Sequence, residues 1–221
     1  TFPKTSETRG TRRGRMILAN HVSLLDAIAL ASRGEFVFVT SRDITESIFL
    51  RWFATIAGTV LIERRNRDRR SDELLEIESL LQEGRTIVLF PEATSTDGSQ
   101  ILRFRNGLLH AALRATEIRV LPVCLQYRSI GDRALTTKNR DRIFLYGEIG
   151  IATHLARILT GSAVQLSLLP LKEFNARDFA TPAEIAAHAE FLVRSAFHPI
   201  QPETDGIFPK ADPSANSSLP A

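Results

Sequence analysis

Short apolar runs alternate with amphipathic segments along most of the chain. Runs rich in branched and aromatic residues between turn-forming residues predict strands, and apolar residues at helical spacing predict helices. The predicted strands are residues 15–19, 36–40, 59–62, 86–90, 120–127, 142–148 and 164–169. The predicted helices are residues 24–32, 46–57, 67–81, 106–115, 153–159 and 182–197, and residues 129–140 are predicted to be a polar connection. This alternation predicts a single α/β domain with a mixed, mostly parallel sheet flanked by helices.

The two ends of the chain differ from this alternating region. Residues 1–14 form a basic N-terminal segment, and residues 15–198 are predicted to be the folded domain. Residues 199–221 contain five of the ten prolines, with Ser, Asn and Asp between them. Because this composition offers little apolar surface to bury, the tail is predicted to be disordered.

The composition favours one domain with a sizeable core, since 43% of the 221 residues are hydrophobic and 24% are charged. The single cysteine, Cys124, lies in an apolar run and is expected to be a buried, inert thiol. No apolar run reaches the roughly 18 residues of a membrane span, and the N-terminus lacks a signal-peptide pattern. Because the chain begins with Thr1 instead of Met, a trimmed upstream segment carrying an anchor stays open as an alternative.

Arginines cluster in two places, although the formal net charge is only +3. The clusters are Arg9, Arg12, Arg13 and Arg15, followed by Arg64, Arg65, Arg67, Arg69 and Arg70. Such clusters favour a phosphate-rich partner: a nucleic acid, an anionic membrane or a phosphorylated small molecule. Solvated surface arginines are the alternative. The aromatic face of the predicted helix 46–57, which includes Trp52, indicates either core packing or a membrane interface.

The most informative local pattern lies between the first strand and the first helix, where Asp26 follows His21. This turn is predicted at the carboxyl end of a strand, where open α/β sheets bind their ligands. An Asp in the first helical turn is able to accept the imidazole N–H, which leaves the other nitrogen as a general base. A turn histidine with a helix-capping aspartate is the structural alternative. The other histidines have no metal-binding spacing and are expected to be packing or surface residues: His110, His154, His188 and His198.

Four segments in order carry a family pattern. They are Asn-His-Val-Ser-Leu-Leu-Asp at 20–26, Gly-Thr-Val-Leu-Ile-Glu-Arg at 58–64, Phe-Pro-Glu-Ala-Thr at 90–94 and Val-Leu-Pro-Val at 120–123. Together they resemble, in residues and in spacing, the motif blocks of the glycerolipid and lysophospholipid acyltransferase family, typified by lysophosphatidate acyltransferase. The resemblance covers residues 15–197. Asp97 and Gly98, with residues 104–108, look most like the bacterial branch that includes lyso-ornithine-lipid acyltransferases.

The resemblance implies an acyltransferase domain over residues 15–198 with a glycerolipid acyltransferase-like fold. It implies transfer of a fatty acyl group from a thioester to the hydroxyl of a lysolipid such as 1-acylglycerol 3-phosphate. In such a site His21 is the base, Asp26 orients it, and the hydroxyl attacks the acyl carbon directly. The backbone at Ala93 and Thr94 is the expected source of oxyanion donors or shapes the site.

The resemblance also implies an acceptor-binding set. Its expected members are Arg64, Glu92, Thr94, Arg103 and Arg105. Arg64 is expected to contact the acidic head group, because the end of its strand is expected beside the strand end that carries His21. The family's third block commonly has Gly and Arg where this chain has Ala93 and Ser95. We expect Ala93 to adopt an ordinary backbone conformation, and Arg103 or Arg105 to replace the missing arginine.

Several alternatives accompany this interpretation. The acceptor could instead be a lyso-ornithine lipid, and the protein could be a non-catalytic lipid-binding relative or a hydrolase that activates water. No cofactor or metal is expected, and acyl-CoA or acyl-carrier protein is the expected co-substrate. The expected partners are the lysolipid, the acyl-donor thioester and an anionic membrane surface, with no nucleic acid. The expected location is the cytoplasmic face of a membrane, reached peripherally or through an upstream anchor.

Overall fold

The computed structural model describes residues 13–41, 60–64 and 70–202, and it contains an α/β domain. Its strands are β1 (Arg15–Ala19), β2 (Val37–Ser41), β3 (Val60–Arg64), β4 (Thr86–Leu89), β5 (Arg119–Ile130), β6 (Arg133–Ala134), β7 (Val164–Pro170) and β8 (Phe174–Asn175). Its α-helices are α1 (Leu25–Ala31), α2 (Arg70–Gln82), α3 (His110–Arg114), α4 (Ile151–Leu159) and α5 (Pro182–Ala196). Two short 3₁₀ helices lie at Arg140–Arg142 and Ala176–Asp178.

The described strands form one sheet in the order β3-β2-β4-β1-β5-β6, and β7 and β8 also pair with β5. The five strands from β3 to β5 in this order are parallel to their neighbours. The partners β6, β7 and β8 are antiparallel to β5. The predicted mixed, mostly parallel α/β sheet is therefore confirmed.

Helices cover both faces of this sheet, and the central strand β1 divides its side chains between them. Met16 and Leu18 belong to a core cluster with residues of α2, α3 and α5. Ile17 and Ala19 belong to a second cluster, in which Leu30 of α1 covers the opposite face. Because successive strand residues point to opposite faces, a strand buried on both sides is apolar on both, as residues 16–19 of β1 are.

Helix α2 ends at Gln82, one residue beyond the predicted end, and Gly84 caps it. Gly84 has a φ of 77°, and its N–H donates to the carbonyl of Leu81. The N–H of Arg85 donates to the carbonyl of Leu80, which completes a Schellman motif.

Three predicted segments differ from the structure. Residues 106–109 form a turn, so the helix predicted from residue 106 begins at His110. The predicted polar connection at 129–140 contains the end of β5 and its hairpin with β6. The predicted strand at 142–148 is a 3₁₀ turn followed by irregular chain. Its apolar residues Ile143 and Phe144 are buried against Val22 and Tyr127, so the apolar run reflects packing and not a strand.

Several predictions fall on residues outside the described ranges. They are the helix at 46–57 with Trp52, the arginines 9, 12, 65, 67 and 69, and the disorder of residues 203–221. The described chain continues past residue 198, and the N–H of Ile200 donates to the carbonyl of Gly98. No helix within the described ranges is both long and apolar enough to cross a membrane.

The core prediction can be tested within one helix. Leu81 is 1% exposed and Leu75 is 57% exposed, and both belong to α2. Leu81→Ala removes buried side-chain volume and should lower the free energy of unfolding by about 2–5 kcal/mol, whereas Leu75→Ala should change it by less than about 0.5 kcal/mol. Urea unfolding followed by circular dichroism measures both. Equal losses from the two variants would contradict the packing described.

Candidate active site

The turn that follows β1 begins with Asn20, whose side-chain amide forms hydrogen bonds with the backbone of β5. The backbone pairing of β1 with β5 ends at Ala19 and Val123. The next residue, Asn20, is 1% exposed, and its amide nitrogen donates to the carbonyl of Leu125 at 3.0 Å. The N–H of Leu125 donates back to the amide oxygen at 2.7 Å. The Asn20 side chain thus continues the pairing with β5 while the backbone turns towards α1.

The carboxylate of Asp26 organises this turn. One oxygen, Oδ2, accepts from Nδ1 of His21 at 2.8 Å, from the N–H of Val22 at 2.7 Å and from the N–H of Ser23 at 2.9 Å. The other oxygen, Oδ1, accepts from the Tyr127 hydroxyl at 2.6 Å. The Asp26 side chain is fully buried, and four donors compensate for the loss of its water.

These bonds fix the state of the His21 imidazole. Because Asp26 already accepts three other hydrogen bonds, the proton between the two side chains belongs to Nδ1 of His21. The other nitrogen, Nε2, then carries a lone pair. The ring stacks on Phe90 with centroids 4.3 Å apart and planes 20° from parallel, and the side chain is 15% exposed. The His21 ring is therefore fixed by Asp26 and Phe90 as the Nδ1–H tautomer, and its side chain is partly exposed.

A second buried carboxylate, Glu92, follows β4 and joins the turn to a later segment. Its Oε1 accepts from the backbone N–H of His21 at 2.8 Å, and its Oε2 accepts from the N–H of Leu102 at 2.6 Å. Burial raises the pKa of Glu92 from 4.5 to about 7, although the two N–H bonds lower it. In this structure Glu92 holds the backbone of the site together.

The loop after Glu92 departs from one expectation. Ala93 has a φ of 60°, so the expectation of an ordinary conformation is wrong. Its N–H donates to the carbonyl of Phe90 at 3.0 Å, which commits it to the turn. Thr94 is exposed, and its N–H has no acceptor among the residues that the structure describes. The N–H of Thr96 donates to the carbonyl of His21 at 3.0 Å, which ties this loop to the turn.

Ser95, which stands at the position where the family commonly has Arg, has a structural partner. Its hydroxyl donates to the carbonyl of Leu145. The N–H of Leu145 donates to the carbonyl of Val22 at 2.8 Å. Ser95 therefore helps to attach the 143–146 segment to the turn that carries His21.

Two expected acceptor-binding arginines lie in one cleft with Glu92 and Thr94. This cleft has a volume of about 530 Å³, and its lining includes Arg103 and Arg105. Both arginines are exposed, and neither forms an ion pair with another described residue. The structure therefore brings together four of the five residues expected to bind the acceptor.

The remaining carboxylate of the cleft, Glu190, is already bound. One of its oxygens accepts from the N–H of Phe104 at 2.8 Å, and the other accepts from Nε of Arg194 at 2.8 Å. Among the described residues, the uncommitted charges of the cleft are consequently those of Arg103 and Arg105, which suits an anionic group.

Arg64 lies farther away than expected. It is the last residue of β3, where its backbone pairs with Ser41 of β2. Strands β2 and β4 separate β3 from β1, so the expectation that Arg64 lies beside the strand end carrying His21 is wrong. Three strand spacings amount to about 14 Å. Arg64 shares the carboxyl edge of the sheet with His21, and its contact with an acceptor stays a prediction.

The first arginine cluster is partly used inside the fold. Arg15 pairs with Glu173 at 2.7 Å, and Arg119 pairs with the same carboxylate at 3.2 Å. Arg13 pairs with Glu117 at 3.1 Å. Arg13 and Arg15, two members of the first cluster, therefore form ion pairs with carboxylates of the same chain.

Two residues of the site were not predicted from the sequence. Tyr127 is buried in β5, and burial, followed by the charge of Asp26, raises the pKa of its phenol well above the usual range. It therefore remains a hydrogen-bond donor to Asp26. His154 was expected to be a packing or surface residue; it is fully buried on α4, with Nε2 3.2 Å from the Ser23 hydroxyl oxygen. The only sequence signal for Tyr127 was its place at the end of the strand predicted at 120–127.

The structure bears on the single cysteine and on possible metal ligands. Cys124 is fully buried, so the prediction of a buried thiol is confirmed, and burial raises the pKa of this thiol to about 12. Within residues 13–41, 60–64 and 70–202, no group of three or more His, Cys, Asp or Glu side chains could hold a metal ion.

The chain is similar in sequence to several known proteins. The chain is 31% identical over 191 residues to a lyso-ornithine lipid O-acyltransferase of Rhodobacter capsulatus, covering 81% of this chain and 64% of that protein. It is 28% identical over 159 residues to the protein of that name from Brucella abortus, covering 69% and 60%. It is 31% identical over 147 residues to a 1-acyl-sn-glycerol-3-phosphate acyltransferase of Neisseria gonorrhoeae, covering 66% and 55%. The chain thus spans less than two thirds of each of these relatives.

A solved structure and a family model complete the comparison. The crystal structure of the 1-acyl-sn-glycerophosphate acyltransferase from Thermotoga maritima matches with a TM-score of 0.54 and 21% identity, covering 87% of this chain and 68% of that one. At this identity the match concerns the fold. The acyltransferase family model matches residues 4–126, which is more than half of the chain and includes His21, Asp26, Arg64 and Glu92. The chain therefore belongs to the acyltransferase family.

Proposed function

We propose that this protein transfers a fatty acyl group from acyl-CoA or acyl-carrier protein to the hydroxyl of an acidic lysolipid. The observation that carries the proposal is the hydrogen bond from Nδ1 of His21 to the buried carboxylate of Asp26. This bond leaves Nε2 as an oriented base, which is what deprotonation of an alcohol requires. No cofactor takes part in the proposed reaction, and the thioester is a co-substrate.

In the proposed step, Nε2 of His21 removes the hydroxyl proton while the hydroxyl oxygen attacks the thioester carbonyl. A C–O bond forms, the carbonyl oxygen becomes an oxyanion, and collapse of the intermediate breaks the C–S bond. The imidazolium then returns its proton to the leaving thiolate. The N–H of Thr94 is the proposed donor to the oxyanion, because the N–H of Ala93 is committed to Phe90.

Direct attack is favoured because neither Cys124 nor Ser23 is suited to form a covalent intermediate. Cys124 is buried, and its thiol has a pKa of about 12. The oxygen of Ser23 accepts from the N–H of Leu25 at 3.2 Å and lies 3.2 Å from Nε2 of His154. A thiol that stays protonated and a hydroxyl engaged in the turn leave the acceptor hydroxyl as the attacking group.

We propose that Arg103 and Arg105 bind the acidic head group of the acceptor. They carry the uncommitted charges of the cleft, and Glu92 links this cleft to the backbone of His21. Lyso-ornithine lipid and 1-acyl-sn-glycerol-3-phosphate, the lipids in the relatives' names, both offer an anionic group to such a site. Ser95 at the family's arginine position favours the lipid without a phosphate, because it removes one phosphate partner.

Attachment to the cytoplasmic face of an anionic membrane belongs to the same proposal. Its support is the lipid nature of the acceptor and the arginines clustered in the sequence. Sedimentation with vesicles of anionic or neutral lipid at low salt tests it, and equal binding to both kinds would oppose the electrostatic part.

The base is tested by His21→Ala and Asp26→Asn. Loss of a general base should lower kcat by about 10²–10⁴-fold, and Asp26→Asn should leave a small residual rate through a misoriented imidazole. The assay measures transfer from labelled acyl-CoA or acyl-carrier protein to a panel of lysolipids. His110→Ala, which alters an exposed histidine, is the matched control and should keep the wild-type rate. Full turnover by a folded His21→Ala protein would contradict the mechanism.

The acceptor site is tested by single Ala substitutions of Arg64, Arg103 and Arg105. Loss of a charge-assisted bond worth about 1.5–3 kcal/mol should lower kcat/KM for the acceptor by about one to two decades. We expect this effect for Arg103, for Arg105 and for Arg64, whose contact with the acceptor is a prediction, while KM for the acyl donor stays unchanged. Arg177→Ala, at an exposed position on a 3₁₀ helix, is the control. A defect confined to KM of the acyl donor would show that the altered arginine binds the acyl donor and not the acceptor.

The role of Glu92 is tested through stability against pH. Its folded pKa is raised from 4.5 to about 7, so its stabilising contribution is fully present below 4.5 and is lost as pH rises through about 7. At 1.4 kcal/mol per pH unit, the free energy of unfolding should fall by about 3 kcal/mol relative to Glu92→Gln across this window. Urea unfolding at several pH values measures the difference. Glu148→Gln, which alters an exposed carboxylate, should not remove the slope.

A further inference from the structure

One buried titratable side chain beside the turn has no part in the proposed reaction. His154 lies on α4 and is 0% exposed, and it is the only fully buried histidine of the five. Its neighbours on α4, Thr153 and Leu155, are more exposed. A buried imidazole is unusual unless its ring has a hydrogen-bond partner, and Nε2 of His154 has two such contacts in the turn.

The contacts of His154 determine its protonation. Its Nε2 lies 3.2 Å from the hydroxyl oxygen of Ser23 and 3.4 Å from the backbone nitrogen of Leu24. The N–H of Leu24 is only able to donate, so Nε2 must accept and therefore carries no proton. The proton of the neutral ring then belongs to Nδ1, which is buried and has no hydrogen-bond partner among the described residues. His154 thus presents a fixed acceptor to two donors of the turn.

This acceptor completes the hydrogen bonding of the turn. The N–H groups of Val22 and Ser23 donate to Asp26, that of Leu24 faces His154, and that of Leu25 donates to the Ser23 hydroxyl oxygen. Four consecutive backbone donors at the start of α1 are thereby assigned to side-chain acceptors. A helix start needs such partners because its first N–H groups have none within the helix.

We propose that His154 is a positioning residue that locks the turn through Ser23 and Leu24, so that Asp26 holds His21 in the orientation for catalysis. Ser23 transmits the effect, because its N–H and its hydroxyl engage Asp26 and His154 from one residue. The inference rests on the proposed acyl transfer for its kinetic readout. Its structural readout is independent of any activity.

Protonation of His154 would remove the lock. A proton on Nε2 eliminates the acceptor and places an N–H against the N–H of Leu24. Burial chiefly lowers the pKa of His154; Asp26 on α1 raises it, and Arg157 on α4 and His21 in the turn lower it. The ring is therefore neutral at neutral pH, and acid conditions release the turn.

The test compares His154→Gln with His154→Leu. Glutamine offers a side-chain oxygen that replaces Nε2 as an acceptor and does not titrate, whereas leucine offers none. We expect His154→Leu to lower kcat by about tenfold or more with both KM values nearly unchanged. We expect His154→Gln to retain most of kcat and to extend activity further towards acid pH than the wild type does. His188→Gln, which alters a half-buried histidine on α5, is the matched control and should not change the pH profile.

Imidazole ¹⁵N resonances give the readout that does not depend on activity. The wild type should show His154 as the Nδ1–H tautomer and His21 bonded to Asp26, and the His21 resonances should be retained in His154→Gln and changed in His154→Leu. If the leucine variant does not fold, Ser23→Ala takes its place, because it removes one of the two groups that His154 holds. A wild-type kcat and unchanged His21 resonances in the variant without the contact would overturn the proposal. Wild-type protein without acyl transfer would overturn the proposed function, and the resonances would still decide the positioning role.

Discussion

A buried carboxylate with four hydrogen-bond donors determines the arrangement around His21. Asp26 accepts hydrogen bonds from the imidazole of His21, from two consecutive backbone N–H groups and from the phenol of Tyr127. An isolated carboxylate would be costly to bury, so the donors and the fold that supplies them depend on one another. Moving any one donor leaves part of the charge uncompensated. The direction of the imidazole is therefore a property of the whole junction between β1, α1 and β5.

Glu92 repeats this arrangement at the next strand with a weaker set of donors. It receives two backbone N–H groups, from His21 and Leu102, and its pKa is near 7 because burial outweighs them. The two acids thus have different tasks. Asp26 orients a side chain, whereas Glu92 joins backbone segments, one of which continues into the arginine-lined cleft. This division keeps His21 fixed by one acid while the other acid connects its backbone to the cleft that contains Arg103 and Arg105.

The sequence was sufficient where the interactions are local or periodic. The strands around β1, the helix that follows it and the pairing of His21 with Asp26 depend on residues at most a few positions apart. Tyr127 and His154 reach the same turn from 101 and 131 residues away, and no spacing rule connects them to it. The strand expected at 142–148 failed because Phe144 is apolar for packing and not for pairing. Arg64 was misplaced because strand order, which motif order does not reveal, sets β2 and β4 between β3 and β1.

The wide spacing of the contacts around the turn has a consequence for how the protein acquires its site. Residues 20–26 are held by partners at positions 92, 96, 127, 145 and 154, so the turn near the start of the domain depends on segments made much later. Contacts so far apart in sequence close large loops, which slows folding. During synthesis, a nascent chain that ends before α4 lacks one of the acceptors that hold the turn. Completion of this turn is therefore a late event in folding, although His21 leaves the ribosome long before α4 does.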